Sequence, residues 1–426
     1  MSKKILILGN SDAGLFEFRK EVVTALIDEG IEVHISVPDT GYIDRLGELG
    51  AVMHPTKVDR RGMNPVADFR LYRTYRKLIR AIQPASVLTY TIKPNVYGGM
   101  AAASFRGRRN KTSGDNAGSM ESGTETSGDN AKKVRILANV TGLGSSLQGK
   151  GMVAKFVKFL YRKGLRHASV VFCQNETNLE FLKATGIIPL TAETVLLPGS
   201  GVNLEKHQYL EYPNSVPRHS EPSNSKLTNF EEMVMDAESI HAPEKRRNAE
   251  ITRFLYVGRI MDDKGSSELL TAIEEVFKTY PYVKLDIIGS YEEETREKYE
   301  SWVERLSTKG IVEFHGFRDD VDTFYGKCHA LIHPSYHEGM SNVVLEAAAS
   351  GRPVLTSDIP GCREGYESGV GGIAFEPKSS EAITEAMLIF LSFEPEKRRE
   401  MGISARKFVE KHFDRKIVID AYLKRI

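Results

Sequence analysis

The hydrophobic pattern of the first 40 residues predicts a strand, a loop, a helix and a second strand. Residues 5–8 form a continuous apolar run that is typical of a buried strand, and residues 31–37, which are apolar at every second position, predict a second strand. Between them, apolar side chains recur at helical spacing from Phe16 to Ile27, behind a loop that contains two glycines. This order is Rossmann-like, although residues 9–14 lack the G-x-G-x-x-G spacing of a dinucleotide site.

The same alternation continues to residue 200 and begins again at residue 252. Further apolar runs predict strands at 85–90, 134–140, 168–173, 194–197, 252–257, 283–289, 311–314, 330–333 and 354–357. Strands that alternate with helices favour parallel sheets, so the sequence predicts an α/β protein with two Rossmann-like domains. The domains are predicted at 1–200 and 251–410, with a polar linker or insertion at 201–250 that lacks clear periodicity.

Length and composition are those of a globular protein with two domains. The 426 residues are 41% hydrophobic and 27% charged. Three widely spaced cysteines argue for a reducing compartment and against a disulfide framework or a zinc cluster. The first apolar run is too short for a signal peptide, and no run of about 18 apolar residues could span a membrane. The sequence therefore predicts a cytoplasmic location.

Residues 106–133 interrupt the alternation of strands and helices. The hexapeptide Thr-Ser-Gly-Asp-Asn-Ala occurs at 112–117 and again at 126–131, in a stretch with almost no apolar residues. Such a segment buries too little apolar surface to offset the entropy lost on ordering. We therefore predict a disordered surface insertion there.

Positive charge is concentrated in the first half of the chain, where residues 1–200 contain 28 Lys and Arg against 18 Asp and Glu. Within this half, residues 152–167 predict an amphipathic helix. Its apolar face is predicted to carry Val153, Phe156, Val157 and Leu160, and its basic face Lys155, Lys158, Arg162 and Arg166. Such a helix can lie on an anionic membrane, or it can be a core helix whose cationic face is solvated.

Residues 333–354 carry the most informative pattern. A buried strand is predicted to end at His333, and a helix is predicted from Ser341 to Ser350, stopped by Gly351. Glu338 lies in the loop between strand and helix, and Glu346 lies inside the helix. Both are either ordinary carboxylates near a helix start, which the helix dipole favours, or acceptors for two different diols of one ligand.

The start of this helix is a candidate ligand site. Gly339 lets the backbone approach a ligand closely, and the free backbone N–H groups of Met340, Ser341 and Asn342 attract anions or polar oxygens. Further candidates lie at predicted strand ends, where open α/β sheets bind ligands: Lys93, Gly258, Arg259 and Lys264. Arg259 and Lys264 offer a guanidinium fork and a point charge for a diphosphate. Gly14, in the first loop, is explained by a tight turn that needs no Cβ.

The chain resembles a known family at these residues. Glu338, seven residues and Glu346 look like the E-x7-E signature of retaining glycosyltransferase family 4, which has the GT-B fold. The likeness includes Val257-Gly258-Arg259, Lys264-Gly265 and His315-Gly316. In the first half, residues 89–95 and 139–144 resemble the branch that acts on lipid-linked sugars in capsule, O-antigen and glycoprotein glycan assembly.

The resemblance implies two Rossmann-like domains that face an interdomain cleft, with the helix at 411–426 crossing back to the first domain. It implies that Glu338 contacts the donor sugar, Glu346 the ribose, and Arg259 with Lys264 the pyrophosphate. Gly14, Lys93, Thr141 and Gly142 would then face acceptor or cleft. No cofactor and no metal are expected, because Asp320-Val321-Asp322 matches D-x-D but precedes a helix that it is better placed to cap.

The predicted activity is retaining transfer of a sugar from a nucleoside diphosphate donor, preferably UDP-N-acetylhexosamine or UDP-galactose. The predicted acceptor is a hydroxyl of an undecaprenyl-diphosphate-linked saccharide, reached from the inner face of the cytoplasmic membrane through Lys155, Phe156, Lys158, Arg162 and Arg166. No nucleic acid partner is expected. Two alternatives stay open: a GT-B nucleotide-sugar epimerase and a non-catalytic protein that binds the membrane surface.

Overall fold

The computed structural model describes residues 2–59, 64–105, 134–143, 147, 151–213 and 251–426. The insertion predicted at 106–133 lies outside the described residues, as does the polar segment from 214 to 250. The chain divides into two compact units. The first comprises Met1–Leu197 with Ile419–Ile426, and the second comprises Pro198–Val418.

The first unit is built on a seven-stranded parallel sheet with the strand order β3-β2-β1-β4-β5-β6-β7. Its strands are β1 Lys4–Leu8, β2 Glu32–Ser36, β3 Val52–Met53, β4 Ser86–Tyr90, β5 Arg135–Val140, β6 Val170–Cys173 and β7 Glu193–Leu196. Its helices are α1 Asp12–Asp28, α2 Ile43–Glu48, α3 Pro65–Ile82, α4 Gly99–Ala103, α5 Met152–Leu165 and α6 Glu176–Ala184. The inner strands β1 and β5 are buried at every residue except the first, because helices cover both faces of such a sheet.

Helix starts in this unit follow capping chemistry that can be recognised in the sequence. The Ser11 side chain caps α1, Asn175 caps α6, and Asn64 caps α3 just before a proline at the first helical position. Helix α1 begins at Asp12, earlier than expected. Gly14 therefore lies in the first helical turn, where its N–H donates to Ser11 Oγ at 3.0 Å, and the prediction of a loop through residue 14 is wrong there.

The second unit contains a six-stranded parallel sheet with the order β10-β9-β8-β11-β12-β13. Its strands are β8 Thr252–Val257, β9 Val283–Ile288, β10 Val312–Phe314, β11 Ala330–His333, β12 Val354–Ser357 and β13 Gly372–Phe375. Its helices are α7 Ser266–Thr279, α8 Arg296–Thr308, α9 Val321–Lys327, α10 Asn342–Ala349, α11 Ser380–Ser392 and α12 Pro395–His412. A last helix, α13, spans Arg415–Leu423, and its residues from Ile419 onward group with the first unit.

The strand order of each sheet marks where a ligand is expected. Chain order reverses between β1 and β4 in the first sheet and between β8 and β11 in the second. Ligands of open α/β sheets bind outside the carboxyl ends of the strands at such a switch point. In the second unit those ends lead directly into Gly258-Arg259 and into the loop that carries Glu338. The two parallel sheets confirm the predicted fold class of two Rossmann-like domains.

Candidate active site

The loop between β11 and α10 is held in shape by the residues around Gly361. Ser341 is the N-cap of α10: its side chain accepts a hydrogen bond from Val344 N, and its own N–H donates to the Gly361 carbonyl at 2.7 Å. The prediction that the Ser341 N–H is free for a ligand is therefore wrong. Gly361 has a φ of +87°, and a Cβ there would lie 2.8 Å from the Glu338 carbonyl oxygen. A glycine is therefore required for this close approach. The helix predicted from Ser341 to Ser350 is confirmed to within one residue at each end.

Glu338 lies in a cluster of two cationic or protonatable groups. Lys264 Nζ forms an ion pair with its Oε1, and His333 Nε2 lies 3.1 Å from the same oxygen. Burial alone would raise the pKa of Glu338, but His333 and Lys264 outweigh that effect and lower the pKa to about 2. The carboxylate is therefore ionised at every physiological pH and can act only as a hydrogen-bond acceptor.

His333 is a member of this cluster that sequence reasoning treated only as the end of a strand. Its Nε2 also lies 3.1 Å from Ser341 Oγ, so one ring nitrogen faces both the carboxylate and the N-cap of α10. Within the described residues its buried Nδ1 has no hydrogen-bond partner. A histidine at the carboxyl end of a parallel strand, five residues before a loop glutamate, is the sequence signal that could have identified it.

Lys264 reaches Glu338 because of one glycine. A short 3-10 turn, Asp262–Lys264, ends at Gly265, which has a φ of +68°. A Cβ at Gly265 would lie only 2.2 Å from the Pro334 carbonyl oxygen, so the start of α7 packs directly on the loop after β11. This contact brings together two motifs that are 74 positions apart in the chain.

Arg259 lies in a different local environment. Its Nη1 is 2.5 Å from Glu292 Oε2, and its side chain is 48% exposed. Its backbone is anchored because Tyr256 donates a hydrogen bond to its carbonyl at 2.7 Å. A Cβ at Gly289 would collide with the Gly258 carbonyl, so the loops after β8 and β9 are in close contact. Glu338 has the Lys264 ammonium as its ion-pair partner, whereas Arg259 has Glu292, which the sequence did not single out.

Glu346 occupies a third environment, further along α10. Tyr325 donates a hydrogen bond to its Oε2 at 3.2 Å, and His207 Nε2 lies 4.0 Å from its Oε1. Burial raises the pKa of Glu346, and the nearby charges of His207 and Lys206 act in the opposite direction. The two glutamates of the motif therefore have separate partners and opposite pKa shifts.

The helix start between the two glutamates is tightly packed. Met340 is buried, and a Cβ at Gly199 would lie 2.4 Å from its Cγ. Asn342 Oδ1 is buried and has no hydrogen-bond partner among the residues that the structure describes. The predicted donor-binding residues Gly339, Met340, Ser341 and Asn342 thus lie between the Glu338 cluster and the Glu346 cluster.

The candidates of the first unit are engaged in local contacts. Lys93 Nζ lies 2.7 Å from Asp68 Oδ1, and Tyr97 donates to the other oxygen of Asp68, so the lysine charge is neutralised inside the unit. The Thr141 carbonyl accepts a hydrogen bond from the Gln174 side-chain amide at 2.8 Å. Among the described residues, no heavy atom lies within 4 Å of a Cβ added at Gly142.

The D-x-D sequence at the start of α9 does not bring its two carboxylates together. Both oxygens of Asp320 bind Arg318 at 2.8 Å, whereas Asp322 Oδ1 lies 2.6 Å from His207 Nδ1. Asp320 occupies the N-cap position, but its side chain makes no capping hydrogen bond, so the predicted capping role is wrong. The arginine next to it outcompetes the helix N–H groups for the carboxylate.

A group with metal-compatible spacing occurs elsewhere among the described residues, at Asp286, Glu313 and His315. Arg253 binds both carboxylates, at 3.2 Å to Asp286 and 3.1 Å to Glu313, and Lys284 binds Glu313 at 2.8 Å. The two negative charges are therefore already matched by two positive charges. This cluster is an ion-pair network on the face of the sheet, and we assign no metal to it.

The amphipathic helix of the first unit is α5, and its buried face differs from the predicted one. Its buried residues are Ala154, Val157, Tyr161, Gly164 and Leu165. Val153 and Phe156, which were predicted to share the apolar face with Val157, are each 52% exposed, as is Phe159 at 48%. The helix thus presents apolar and aromatic side chains to the exterior beside the exposed Lys155 and Arg166.

Two of the basic residues of α5 have internal partners. Arg162 donates to the carbonyls of Gly186 and Thr185 at 3.1 and 2.8 Å, at the C-terminal end of α6. The ammonium of Lys158 lies 5.2 Å from the centre of the Phe181 ring. No helix of the described residues is both long enough and apolar enough to cross a bilayer.

Comparison with known proteins identifies the class of this site. The family model described as glycosyl transferases group 1 matches residues 238–408, and the model described as glycosyl transferase 4-like matches residues 4–112. Anabaena HepE in complex with UDP and glucose superposes with a TM-score of 0.69 at 14% identity, covering 99% of this chain and 98% of HepE. The sheets, the matched models and this likeness define a glycosyltransferase of the GT-B fold.

The chain belongs to the group 1 and 4-like glycosyltransferases, so the family predicted from Glu338 and Glu346 is confirmed. It is 23% identical over 425 residues to the N,N'-diacetylbacillosaminyl-diphospho-undecaprenol alpha-1,3-N-acetylgalactosaminyltransferase of Campylobacter jejuni, covering 99% of this chain and 97% of that protein. It is also 30% identical over 163 residues to the capsular polysaccharide biosynthesis glycosyltransferase CapM of Staphylococcus aureus, covering 38% of this chain and 42% of CapM.

Proposed function

We propose that this glycosyltransferase moves a sugar, with retention at the anomeric carbon, from UDP-N-acetylhexosamine or UDP-galactose to a hydroxyl of an undecaprenyl-diphosphate-linked saccharide. The observation that carries the proposal is the Lys264–Glu338 ion pair at the start of α10, beside the switch point of the second sheet. The name of the Campylobacter relative, which is similar over nearly its whole length, supports the class of acceptor.

Lys264 and the helix start have the charge needed by a departing diphosphate. Negative charge develops on that group as the bond to the sugar breaks, and fixed donors stabilise it without reorganisation. The Lys264 ammonium and the N–H groups in the first turn of α10 are proposed as such donors, since Lys264 contacts the loop that leads into α10. Arg259, half exposed and held by Glu292, is positioned at the end of β8 to add a guanidinium to the same diphosphate.

Glu338 and Glu346 are proposed to bind the two hydroxyl-rich parts of the donor. Glu338 is ionised and accepts hydrogen bonds from hydroxyls of the transferred sugar, which orients the anomeric carbon. Glu346 lies deeper along α10 and accepts hydrogen bonds from the ribose. Retention requires the acceptor to attack from the side on which the diphosphate leaves, so a diphosphate oxygen is available to take the proton from the acceptor hydroxyl.

The acceptor is proposed to be reached at an anionic membrane surface through α5. Phe156 and Phe159 are half exposed and lie beside Lys155, so the helix combines apolar insertion with charge attraction. Of the residues proposed for this contact, Lys155, Phe156, Arg162 and Arg166 are exposed and Lys158 is half-buried. Arg162 also fixes α5 to the end of α6 through its hydrogen bonds to the Gly186 and Thr185 carbonyls.

A vesicle assay tests the membrane contact. We expect Phe156→Asp to weaken binding to vesicles of phosphatidylglycerol at least tenfold, because it removes apolar area and adds repulsion. The matched control is Val370→Asp, which adds the same charge at an exposed apolar residue of the second unit. Equal binding of both variants and the wild type would remove α5 from the proposal.

The donor proposal is tested by thermal stabilisation with UDP, GDP, NAD and UDP-sugars, followed by transfer to an undecaprenyl-diphosphate-linked saccharide. A ligand at a hundred times its dissociation constant stabilises the protein by about 2.7 kcal/mol. We expect a shift with UDP that Glu346→Ala diminishes. Conversion of UDP-N-acetylglucosamine without any acceptor would favour an epimerase, and vesicle binding without nucleotide binding would favour a non-catalytic membrane protein.

A further inference from the structure

His207 lies just after the start of the second unit, in a segment whose backbone is fixed to the end of α10. Its N–H donates to the Asn203 carbonyl at 2.9 Å, which closes a turn. Arg406 Nη1 donates both to the His207 carbonyl at 2.7 Å and to the Ala349 carbonyl at 2.5 Å. One guanidinium thus ties this segment to the helix that carries Glu346.

The His207 side chain stands between two carboxylates. Its Nδ1 lies 2.6 Å from Asp322 Oδ1, and its Nε2 lies 4.0 Å from Glu346 Oε1. The ring is only 5% exposed, so these contacts replace most of its hydration. Asp322 and Tyr325 are three residues apart on one face of α9. This helix therefore contacts His207 at Nδ1 through Asp322 and Glu346 at Oε2 through Tyr325.

This geometry couples the proton of His207 to that of Glu346. Because Asp322 accepts the Nδ1 proton, only Nε2 faces Glu346. With a proton on Nε2, an imidazolium faces a carboxylate, and without that proton the lone pair of Nε2 favours a protonated Glu346. An ionised carboxylate can accept a charge-assisted hydrogen bond from a ribose hydroxyl on each oxygen, whereas protonation makes one oxygen a donor and weakens the other as an acceptor. The two arrangements are therefore not equivalent for a ribose.

The other groups around Glu346 also act on its pKa. Burial raises the pKa of Glu346, and Asp322 acts in the same direction, whereas the charges of His207 and Lys206 and the Tyr325 hydrogen bond lower it. Lys206 has an exposed side chain, so solvent screens its contribution. His207 is the buried group among these that can face Glu346 as a cation when it is protonated.

We propose that His207, held by Asp322, is a positioning residue for donor binding that keeps Glu346 ionised and aligned to accept hydrogen bonds from the ribose. The inference rests on the proposed role of Glu346 as the ribose ligand. It adds a carboxylate–imidazole–carboxylate array, formed by the segment after Asn203 and by α9 and α10, to the donor site. In this array, His207 and Asp322 act on the donor through Glu346, and neither is proposed to contact the reacting atoms.

The test is a calorimetric titration of the full-length protein with UDP at pH 6.0, 7.0 and 8.5. In the wild type, UDP affinity should change little across this range. In His207→Gln no imidazolium can face Glu346, so UDP binding should be weaker than in the wild type by a factor that is largest at pH 6.0 and smallest at pH 8.5. Asp322→Asn removes the partner of His207 Nδ1 but also a direct repulsion on Glu346, so its effect on UDP affinity should be smaller than that of His207→Gln.

Controls separate this role from a structural one. Glu346→Gln should bind UDP weakly at every pH, and His412→Gln, at an exposed histidine, should follow the wild type. In turnover assays at pH 6.0, His207→Gln should raise the donor KM and leave kcat unchanged. If His207→Gln does not fold, His207→Asn decides: a loss of UDP affinity that grows as the pH falls supports the proposal, and a wild-type profile overturns it.

Two results would contradict different claims. A wild type that fails to bind UDP at any pH would overturn the proposed donor function itself. A wild type that binds UDP, together with a His207→Gln variant weakened equally at all three pH values or not weakened at all, would leave the donor site intact and overturn the role of His207.

Discussion

The two glutamates of the E-x7-E motif lie in contrasting environments eight positions apart. Glu338 stands at the entrance of α10 beside Lys264 and His333, and its pKa is lowered to about 2. Glu346 stands on the helix itself beside Tyr325 and His207, and burial raises its pKa. One carboxylate has an ammonium in direct contact, whereas the other has its nearest cationic partner at 4.0 Å.

The two glutamates therefore differ in what holds them: an ion pair holds Glu338, whereas a hydrogen bond holds Glu346. Glu338 and Lys264 form an ion pair whose net charge is close to zero. In the proposed complex, Glu338 would accept hydrogen bonds from sugar hydroxyls, and Lys264 would pair with the diphosphate. Glu346 has no ammonium or guanidinium in contact among the described residues; its partners are the Tyr325 hydroxyl and, at 4.0 Å, the His207 ring. We therefore expect the ionisation of Glu346 to depend on His207, which lies in a distant segment of the chain. Four substitutions would break or sharpen this contrast.

The largest expected effect is on stability at neutral pH in Glu338→Gln. A carboxyl whose pKa falls from 4.5 to about 2 on folding contributes about 3 kcal/mol at pH 7. This contribution is present above pH 4.5 and is lost as the pH falls toward 2. Denaturation with urea at pH 7, 4 and 2.5 should therefore show a deficit in the free energy of unfolding that shrinks with acidity.

Glu346→Gln is the matched control for the sign of this effect. Because the pKa of Glu346 is raised on folding, ionising it costs stability as the pH rises through the raised value. The glutamine variant should thus be as stable as the wild type at pH 7, or more stable. Equal losses in both glutamine variants would contradict the electrostatic difference between the two sites.

The second-largest effect is expected for Lys264→Met, in the rate of sugar transfer. This change keeps the length of the side chain and removes the charge that is nearest to Glu338. We expect the transfer rate to fall about 100-fold, as for loss of one preorganised group that stabilises developing charge. Lys278→Met, at an exposed lysine paired with Glu275, should transfer at the wild-type rate. A rate within twofold of the wild type in Lys264→Met would remove the lysine from the mechanism.

Donor affinity should respond to Glu346→Ala. Hydrogen bonds to charged groups contribute about 1.5 to 3 kcal/mol, so we expect the dissociation constant for UDP to rise about tenfold or more in calorimetry. Glu385→Ala, at an exposed glutamate of α11, serves as the control. Unchanged UDP affinity in Glu346→Ala would mean that the ribose is bound elsewhere.

The smallest effect is expected for Arg259→Ala. The guanidinium is half exposed and shares its charge with Glu292, so its contribution is screened. We expect turnover to fall about fivefold, with little change in the unfolding midpoint. Arg296→Ala removes a similarly exposed arginine that is paired with Glu300, and it should turn over normally. Wild-type turnover in Arg259→Ala would exclude it from diphosphate stabilisation.

Much of the fold follows from local sequence patterns. Short apolar runs predict the buried strands because both faces of these sheets are covered, and α10 was expected almost to the residue because Ser341 caps it and Gly351 ends it. The exposed face of α5 was not predicted, because apolar periodicity cannot distinguish a side chain packed on the core from one left in solvent. Val157 and Phe156 are both apolar, yet only Val157 is buried.

The candidate site divides in the same way. Sequence by itself predicted the class of the protein, and it singled out the carboxylates Glu338 and Glu346 and the cations Arg259 and Lys264 as site candidates, because these residue types lie at strand ends and at a helix start. Only the tertiary structure decided which groups pair. Close packing at Gly265 and Gly361 brings Lys264 and the Glu338 loop together, and Arg406 fixes His207 beside Glu346. Ionisation depends on charges and burial within a few ångströms, and such contacts join residues far apart in the chain.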